Sequence, residues 1–154
     1  MRYTALYMAR HNAIVARIKK AASTKFEVLS ENQVLGNQGL RPDIVLKKGP
    51  NIFVVDVTVP FDNRLAAFEA AAAEKGKYEQ LRAELAALHG CEATVVPVIV
   101  GALGSWDPAN DPFMRTLCSR SYAALMRKLC VSDTISASRD IYIEHISGVR
   151  QVRA

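Results

Sequence analysis

Residues 41–56 read Arg-Pro-Asp-Ile-Val-Leu-Lys-Lys-Gly-Pro-Asn-Ile-Phe-Val-Val-Asp, with apolar runs on either side of Lys-Lys-Gly-Pro-Asn. Apolar, β-branched runs broken by Gly-Pro-Asn predict two strands joined by a tight hairpin. A loop at residues 48–51 pairs residue 47 with residue 52, and the same register places Asp43 directly across from Asp56. The hairpin therefore brings two carboxylates together.

Two facing aspartates create an electrostatic problem that a cation would solve. Opposed side chains have Cβ atoms about 5 Å apart, and like charges there are destabilising. Unpaired carboxylates among apolar residues are also costly. Because Mg²⁺ is typically held by one or two carboxylates plus substrate phosphate, the hairpin predicts a metal-dependent phosphodiester site. The alternative is a hairpin with two edge aspartates, one paired with Arg41, since a one-residue slip in register turns one acid to the other face.

The composition is typical of a single globular domain that spans residues 1–154 and binds an anionic partner. Half of the residues are hydrophobic, 23% are charged and the formal net charge is +5, which favours nucleic acid first and an acidic membrane second. No apolar run reaches the ~20 residues of a membrane helix. Three cysteines without Cys-x-x-Cys spacing predict neither a disulfide framework nor a zinc site.

The periodicity along the chain predicts an α/β fold. The predicted elements are a helix at 4–22, a meander of strands at 25–30, 43–47 and 52–59, a helix at 63–88 capped near Asn63, a strand at 92–100, a loop at 101–110, and helices at 111–130 and about 133–147. Asp56 shares one face of its strand with Val54 and Thr58, and both faces are mostly apolar, which predicts a central strand. Pro97 predicts either that the last strand lies at an edge or that it contains a bulge.

Two helices carry further candidates. His11 falls on the apolar stripe of the first helix, either as a core histidine with one hydrogen bond or as part of Arg10-His11-Asn12 reaching the site or a DNA backbone. On the long helix, apolar residues at spacings of three and four include Tyr78 and make Lys75 the one charge on the buried stripe. Lys75 then points toward the sheet or extends to solvent.

The roles of two further residues, Lys77 and Trp106, have more than one interpretation. Lys77 lies about 200° round the long helix from Lys75, at roughly 100° per residue. Trp106, in the loop after the last strand, could stack a base or cap the core.

The element order, with Pro42-Asp43 followed by Asp56, resembles the core of the PD-(D/E)xK nucleases. The lysine usually found two residues after the second acid is replaced by Thr58. Arg-Pro-Asp, Val-Val-Asp-Val-Thr and a helical Lys-Tyr pair resemble the restriction-like endonuclease of site-specific non-LTR retrotransposons. Arg10-His11-Asn12 and the segment Val-Gly-Ala-Leu-Gly-Ser-Trp resemble it too. Glu74 stands where that family often has the first of two lysines.

This resemblance implies a metal-dependent DNA endonuclease that nicks target DNA to prime target-primed reverse transcription. Asp43 and Asp56 would hold Mg²⁺ or Mn²⁺ together with the Val57 carbonyl, and Lys75, or else Lys77, would be the catalytic lysine. The implied supporting or DNA-contacting residues are Arg10, His11, Asn12, Arg41, Thr58, Tyr78 and Trp106. The resemblance also implies a parent polyprotein with reverse transcriptase and zinc-knuckle regions, and a nuclear location.

Two other functions fit the same residues. A structure-selective nuclease resembling Holliday-junction resolvases, which often act as dimers, would prefer branched DNA. A nucleic-acid-binding module with an inactive nuclease site would bind DNA without metal-dependent cleavage, and both Thr58 and Glu74 are consistent with it.

Overall fold

The computed structural model describes the backbone of residues 2–60 and 64–153, and the side chains of residues 5–60 and 66–146. The elements are α1 (Arg2–Ala22), β1 (Glu27–Glu31), β2 (Ile44–Lys48), β3 (Asn51–Thr58), α2 (Arg64–His89), β4 (Glu92–Ile99), a 3-10 turn (Pro108–Asn110), α3 (Asp111–Leu117) and α4 (Arg120–Arg153). The α/β architecture and the predicted order of elements are confirmed. The predicted cap at Asn63 lies outside the described residues.

The four strands form one sheet in the order β1-β2-β3-β4. The first three strands form an antiparallel meander, and β4 pairs in parallel with β3. A parallel neighbour requires a crossover connection, which α2 supplies. The predicted positions are confirmed, because β3 has a partner on each side and Pro97 lies in an edge strand.

The hairpin between β2 and β3 has the predicted register. Lys47 pairs with Ile52, and Lys48 pairs with Asn51. The turn is therefore only Gly49-Pro50, and Gly49 adopts a φ of +57°, which two-residue hairpin turns demand at their first position. This register excludes the one-residue slip that would separate the two aspartates.

The two faces of the sheet belong to two apolar clusters. The cluster on the face of α1, α3 and α4 includes Ile14, Ile18, Val55, Val57, Val98 and Phe113. The cluster under α2 includes Val45, Val54, Tyr78, Leu81 and Leu85. Because side chains alternate along a strand, Asp56 falls between Val55 and Val57 and shares the α2 face with Val54, as predicted.

The C-terminal helices differ from the prediction of 111–130 and 133–147. Helix α3 ends at Leu117, because the backbone of Cys118 is extended. Helix α4 then continues without interruption from Arg120 to Arg153. Ser119 starts this helix because its Oγ accepts the N–H of Tyr122 at 3.2 Å. No break follows residue 130: Thr134 Oγ1 donates to the Cys130 carbonyl, and Asp133 pairs with Arg17 of α1. None of the helices in the described part of the chain is long and apolar enough to cross a membrane.

Asn110 fixes the loop that follows β4. Its side chain is 1% exposed, accepts the Ile99 N–H at 3.0 Å and donates to the Ile99 carbonyl at 2.7 Å. Asn110→Ala leaves the Ile99 N–H without the side-chain acceptor and leaves the Ile99 carbonyl with only a long hydrogen bond from the Asp107 N–H at 3.5 Å, and should lower the free energy of unfolding by about 2 kcal/mol. Urea denaturation measures this loss as a lower midpoint at unchanged slope.

Asp107→Ala is the control, since it removes only an exposed cap on the same 3-10 turn and should cost less. Equal midpoints for Asn110→Ala and wild type would contradict the structural role of Asn110.

Candidate active site

Asp43 and Asp56 meet at the open end of the β2–β3 hairpin, as their predicted register requires. The Asp43 N–H donates to Asp56 Oδ1 at 3.2 Å. Asp43 is partly buried and Asp56 is only 8% exposed. These two residues, the acid pair, therefore occupy a site largely screened from water.

Glu74 of α2 adds a third carboxyl group beside the acid pair. Its Oε1 accepts a long hydrogen bond from Thr58 Oγ1 at 3.4 Å, and its Oε2 is buried without a hydrogen-bond partner in the described part of the chain. Burial, then the carboxyl groups of Glu74 and Asp43, raise the pKa of Asp56 to about 9. In the absence of a cation, Asp56 therefore carries a proton at neutral pH.

The pKa of Asp43 shifts in the opposite direction because its carboxylate accepts several hydrogen bonds. Burial acts to raise its pKa, but hydrogen bonds from His11, Asp56 and the Val57 N–H outweigh burial and hold the pKa below its ordinary value. His11 Nε2 lies 2.9 Å and the Val57 nitrogen 2.7 Å from Asp43 Oδ2. Asp43 is therefore the ionised member of the acid pair.

His11 is the link between α1 and the acid pair. Its hydrogen bond to Asp43 raises its pKa, burial lowers it, and the contact with Asn12 Oδ1 at 3.1 Å raises it again, with a net increase. A protonated ring donates to both oxygens. Among the described residues Asp43 thus pairs with His11 and not with Arg41, which is exposed.

Tyr78 closes the site from α2. Its side chain is buried, and its hydroxyl donates to the Arg41 carbonyl at 3.4 Å. Burial, followed by the nearby acids with Asp56 first, raises the pKa of Tyr78 well above its ordinary value. Tyr78 therefore stays a neutral hydrogen-bond donor.

Arg10 and Trp106 form contacts with residues outside the acid pair. Arg10 Nη1 donates to Ser138 Oγ at 3.0 Å and its guanidinium stacks 5.0 Å from the Tyr7 ring, so Arg10 ties α1 to α4. Trp106 is 9% exposed and its Nε1 donates to Asp111 Oδ1. Trp106 therefore caps the core, and its ring is not placed to stack a base.

The predicted buried stripe of α2 is confirmed at Tyr78, Leu81 and Leu85 and is wrong at Lys75 and Phe68. Lys75 is exposed, whereas Glu74 is half-buried and continues the stripe of Tyr78, Leu81 and Leu85. Phe68, which the prediction placed on the buried stripe, is 72% exposed. The run of alanines at 70–73 carries little apolar preference for either face, so packing and not sequence pattern selects the buried side. Residues 74, 78, 81 and 85 follow one another at spacings of four, three and four, and this helical spacing was the sequence signal that Glu74 lies on the buried stripe.

The two candidate lysines lie on opposite flanks of α2. Lys75 lines a groove of about 290 Å³ with Thr94 of the edge strand β4. Lys77 Nζ lies 5.0 Å from the ring centroid of Tyr78, and Gln80, one turn further, bonds Gln38 of the segment that leads to Asp43. Lys77 is thus on the Asp43 side of α2, and Lys75 is on the β4 side.

The acid pair has the chemistry of a hard-cation site. Carboxylate oxygens are the ligands that Mg²⁺ and Mn²⁺ prefer, with phosphate oxygens and water completing the shell. Two groups here cost free energy: Asp56, whose pKa is raised because its ionised form is unfavourable, and Glu74 Oε2, which is buried without a hydrogen-bond partner among the described residues. A bound cation would lower both costs. No group of three or more His, Cys, Asp and Glu side chains within the described ranges is arranged to hold a metal. The structure records Val57 at this site through its N–H, and ligation by its carbonyl stays a prediction.

Comparison with known proteins gives one informative similarity. No protein-family model matches the chain. The chain is 28% identical over 139 residues to the Retrovirus-related Pol polyprotein from type-1 retrotransposable element R2 of Popillia japonica. The match covers 85% of this chain, which spans 28% of the length of that relative. The chain is therefore similar to a segment of a retrotransposon polyprotein, in agreement with the retrotransposon element of the predicted resemblance.

Proposed function

We propose that this chain is a divalent-metal-dependent DNA endonuclease with a PD-(D/E)xK core, which nicks target DNA to prime reverse transcription of a non-LTR retrotransposon. The observation that carries the proposal is the meeting of Asp43 and Asp56 across the β2–β3 hairpin. The order of elements and the similarity to a retrotransposon polyprotein support the same proposal.

The acid pair and His11 have distinct roles in this reaction. Asp43 and Asp56 would hold Mg²⁺ or Mn²⁺, which when bound polarises a phosphoryl oxygen and lowers the pKa of water. His11 keeps Asp43 ionised and oriented through its 2.9 Å hydrogen bond. Asp56 must release its proton to act as a ligand, so metal binding and proton release are coupled.

Lys77 is the better candidate for the catalytic lysine. It flanks Tyr78 on the Asp43 side of α2, where an ammonium group can stabilise charge that develops on the phosphate. Both lysines are exposed, but Lys75, the residue favoured by helical phase, lies beside β4. We therefore assign the role to Lys77.

The partners follow from the same proposal. DNA is the substrate, and the reverse transcriptase and zinc-knuckle regions of a parent polyprotein are the neighbours that guide the cut in the nucleus. One rival keeps specific support: Thr58 and Glu74 occupy the two positions where related nucleases carry lysine, which fits a DNA-binding module with an inactive site.

Nicking of supercoiled plasmid in EDTA, Mg²⁺ or Mn²⁺ tests the proposal. Wild type should relax the plasmid only with a divalent metal, and Asp43→Ala should abolish relaxation because one of the two hard ligands is lost. Asp140→Ala removes an exposed carboxylate of α4 and should nick like wild type.

Relaxation that persists in EDTA, or in Asp43→Ala, would refute the metal-dependent acid pair. DNA binding without relaxation in any metal would refute the nuclease and favour the binding module.

A further inference from the structure

A groove between α3 and α4 carries a concentration of positive charge away from the acid pair. It encloses about 530 Å³ and is lined by Arg115, Arg120, Arg127 and Lys128; we call it the basic groove. Its single acid, Asp111, accepts the Trp106 Nε1–H at 2.8 Å. The groove therefore presents four cations against one carboxylate that already has a partner.

The described residues supply no ion-pair partner to the four cations of the basic groove. Within the described residues none of the four forms an ion pair, whereas Arg17, Lys19, Arg82 and Arg139 each pair with an acid. Arg115 Nε donates only to the Asp111 backbone carbonyl, and the Arg127 guanidinium lies 5.9 Å from the Trp106 ring. Unpaired like charges held together repel each other, and an anionic ligand removes that cost.

The shape of the groove suits an extended anion. Ala123 and Ala124 line it between the cations, and their small side chains leave room for close approach. Arg120 and Arg127 are two helical turns apart, about 10 Å along the axis. That length corresponds to about three phosphates of one DNA strand, at roughly 3.4 Å of duplex axis each.

The basic groove is connected to the end of the sheet that holds the acid pair. The Arg127 guanidinium lies over the Trp106 ring, and Trp106 forms a backbone bridge with Val100. The Val100 N–H donates to the Thr58 carbonyl at 3.2 Å, two residues beyond Asp56. The groove is therefore linked to the end of β3, two residues from Asp56.

We propose that the basic groove binds the phosphate backbone of the DNA substrate beside the cut. The choice of DNA as occupant rests on the proposed function, and the charge and shape of the groove specify backbone phosphates. Contacts to phosphates carry no sequence information and are strongly salt-dependent. The groove therefore supplies affinity and register, and target choice comes from elsewhere.

Fluorescence anisotropy with a labelled random-sequence DNA duplex, in EDTA and over a range of KCl concentrations, tests this inference. For the double variant Arg120→Gln/Arg127→Gln, the Kd at low salt should rise about tenfold or more, and the slope of log K against log salt should fall by about 1.8 for two lost phosphate contacts. Arg120→Lys/Arg127→Lys, which keeps both charges, should retain most of the slope.

Lys19→Gln/Arg139→Gln is the charge-matched control, because both cations are exposed and paired outside the groove. It should bind DNA within about twofold of wild type, since the charge it removes contacts no phosphate. Equal losses in the control and the groove variant, or a groove variant with the wild-type slope, would overturn the inference. Circular dichroism establishes that each variant is folded.

The binding assay and the nicking assay test the groove inference and the nuclease proposal independently. If the wild type never nicks but the groove variant loses affinity, the nuclease proposal fails and the groove stands. If nicking depends on Asp43 while the groove variant binds like wild type, only the groove inference fails.

Discussion

Asp56→Asn is expected to reduce metal-dependent nicking about 1,000-fold or more while leaving the affinity for DNA in EDTA unchanged. The amide keeps the size of the side chain and an oxygen that can accept the Asp43 N–H. It loses the negative charge that a hard cation requires, which is worth several kcal/mol of transition-state stabilisation. Single-turnover nicking of supercoiled plasmid measures the rate, and anisotropy measures the affinity.

The same substitution should make the metal-free protein more stable. Asp56 is buried against the carboxyl groups of Asp43 and Glu74, and its pKa is raised to about 9. Folded wild type must therefore bind a proton at Asp56 that the unfolded chain releases, and a neutral amide avoids that cost. We expect the free energy of unfolding at pH 8 to rise by about 2 kcal/mol, so the residue that carries the function costs stability.

The pH dependence follows from the sign of that shift. Between the ordinary pKa of 3.8 and the folded value of about 9, folded Asp56 holds a proton that the unfolded chain releases. The stability of wild type therefore falls as the pH rises through this window, and the Asp56 contribution to the slope is absent in Asp56→Asn. His11, whose pKa is also raised, adds a decline above pH 6.5 in both proteins, so the difference between the two curves isolates Asp56.

Chemical denaturation in EDTA at several pH values measures both curves. The gap between Asp56→Asn and wild type should widen from pH 4 to pH 9, following the window set by the pKa of Asp56. A constant gap, or a less stable variant, would contradict the raised pKa. Nicking by Asp56→Asn at the wild-type rate would refute Asp56 as a metal ligand, whatever its stability.

Lys77→Ala is expected to lower the nicking rate about 100-fold, whereas Lys75→Ala should stay within about threefold of wild type. Lys77 flanks Tyr78 on the Asp43 side of α2, and Lys75 lies on the β4 side. Both variants remove one lysine from the same helix, on either side of Gly76. Each therefore controls for the change in charge and helix propensity of the other.

Single-turnover rates in Mg²⁺ and in Mn²⁺ separate the two lysines. A larger loss for Lys75→Ala would restore the assignment made from helical phase and place the reacting phosphate on the β4 side of α2. Wild-type rates for both variants would remove lysine from the mechanism, leaving the charge on the phosphate to the metal and the hydrogen-bond donors of the site.

The amino-acid sequence by itself determined the hairpin and the acid pair. The apolar alternation on either side of Gly49-Pro50 specifies two strands, and the tight turn between them leaves one register that buries both apolar faces. Asp43 and Asp56 meet because that register is a local property of sixteen consecutive residues. The central position of β3 could be predicted for a similar reason, because both of its faces are apolar.

Only the tertiary structure decided which side chains join the acid pair from distant elements. The alanine run at 70–73 made several faces of α2 equally acceptable, and packing against the sheet selected Glu74 instead of Lys75 for the buried side. His11 reached Asp43 because α1 packs across the sheet, although the two residues are 32 positions apart in the chain. Sequence periodicity measures apolar preference within one element, and it cannot choose among faces of similar hydrophobicity; contacts between elements make that choice.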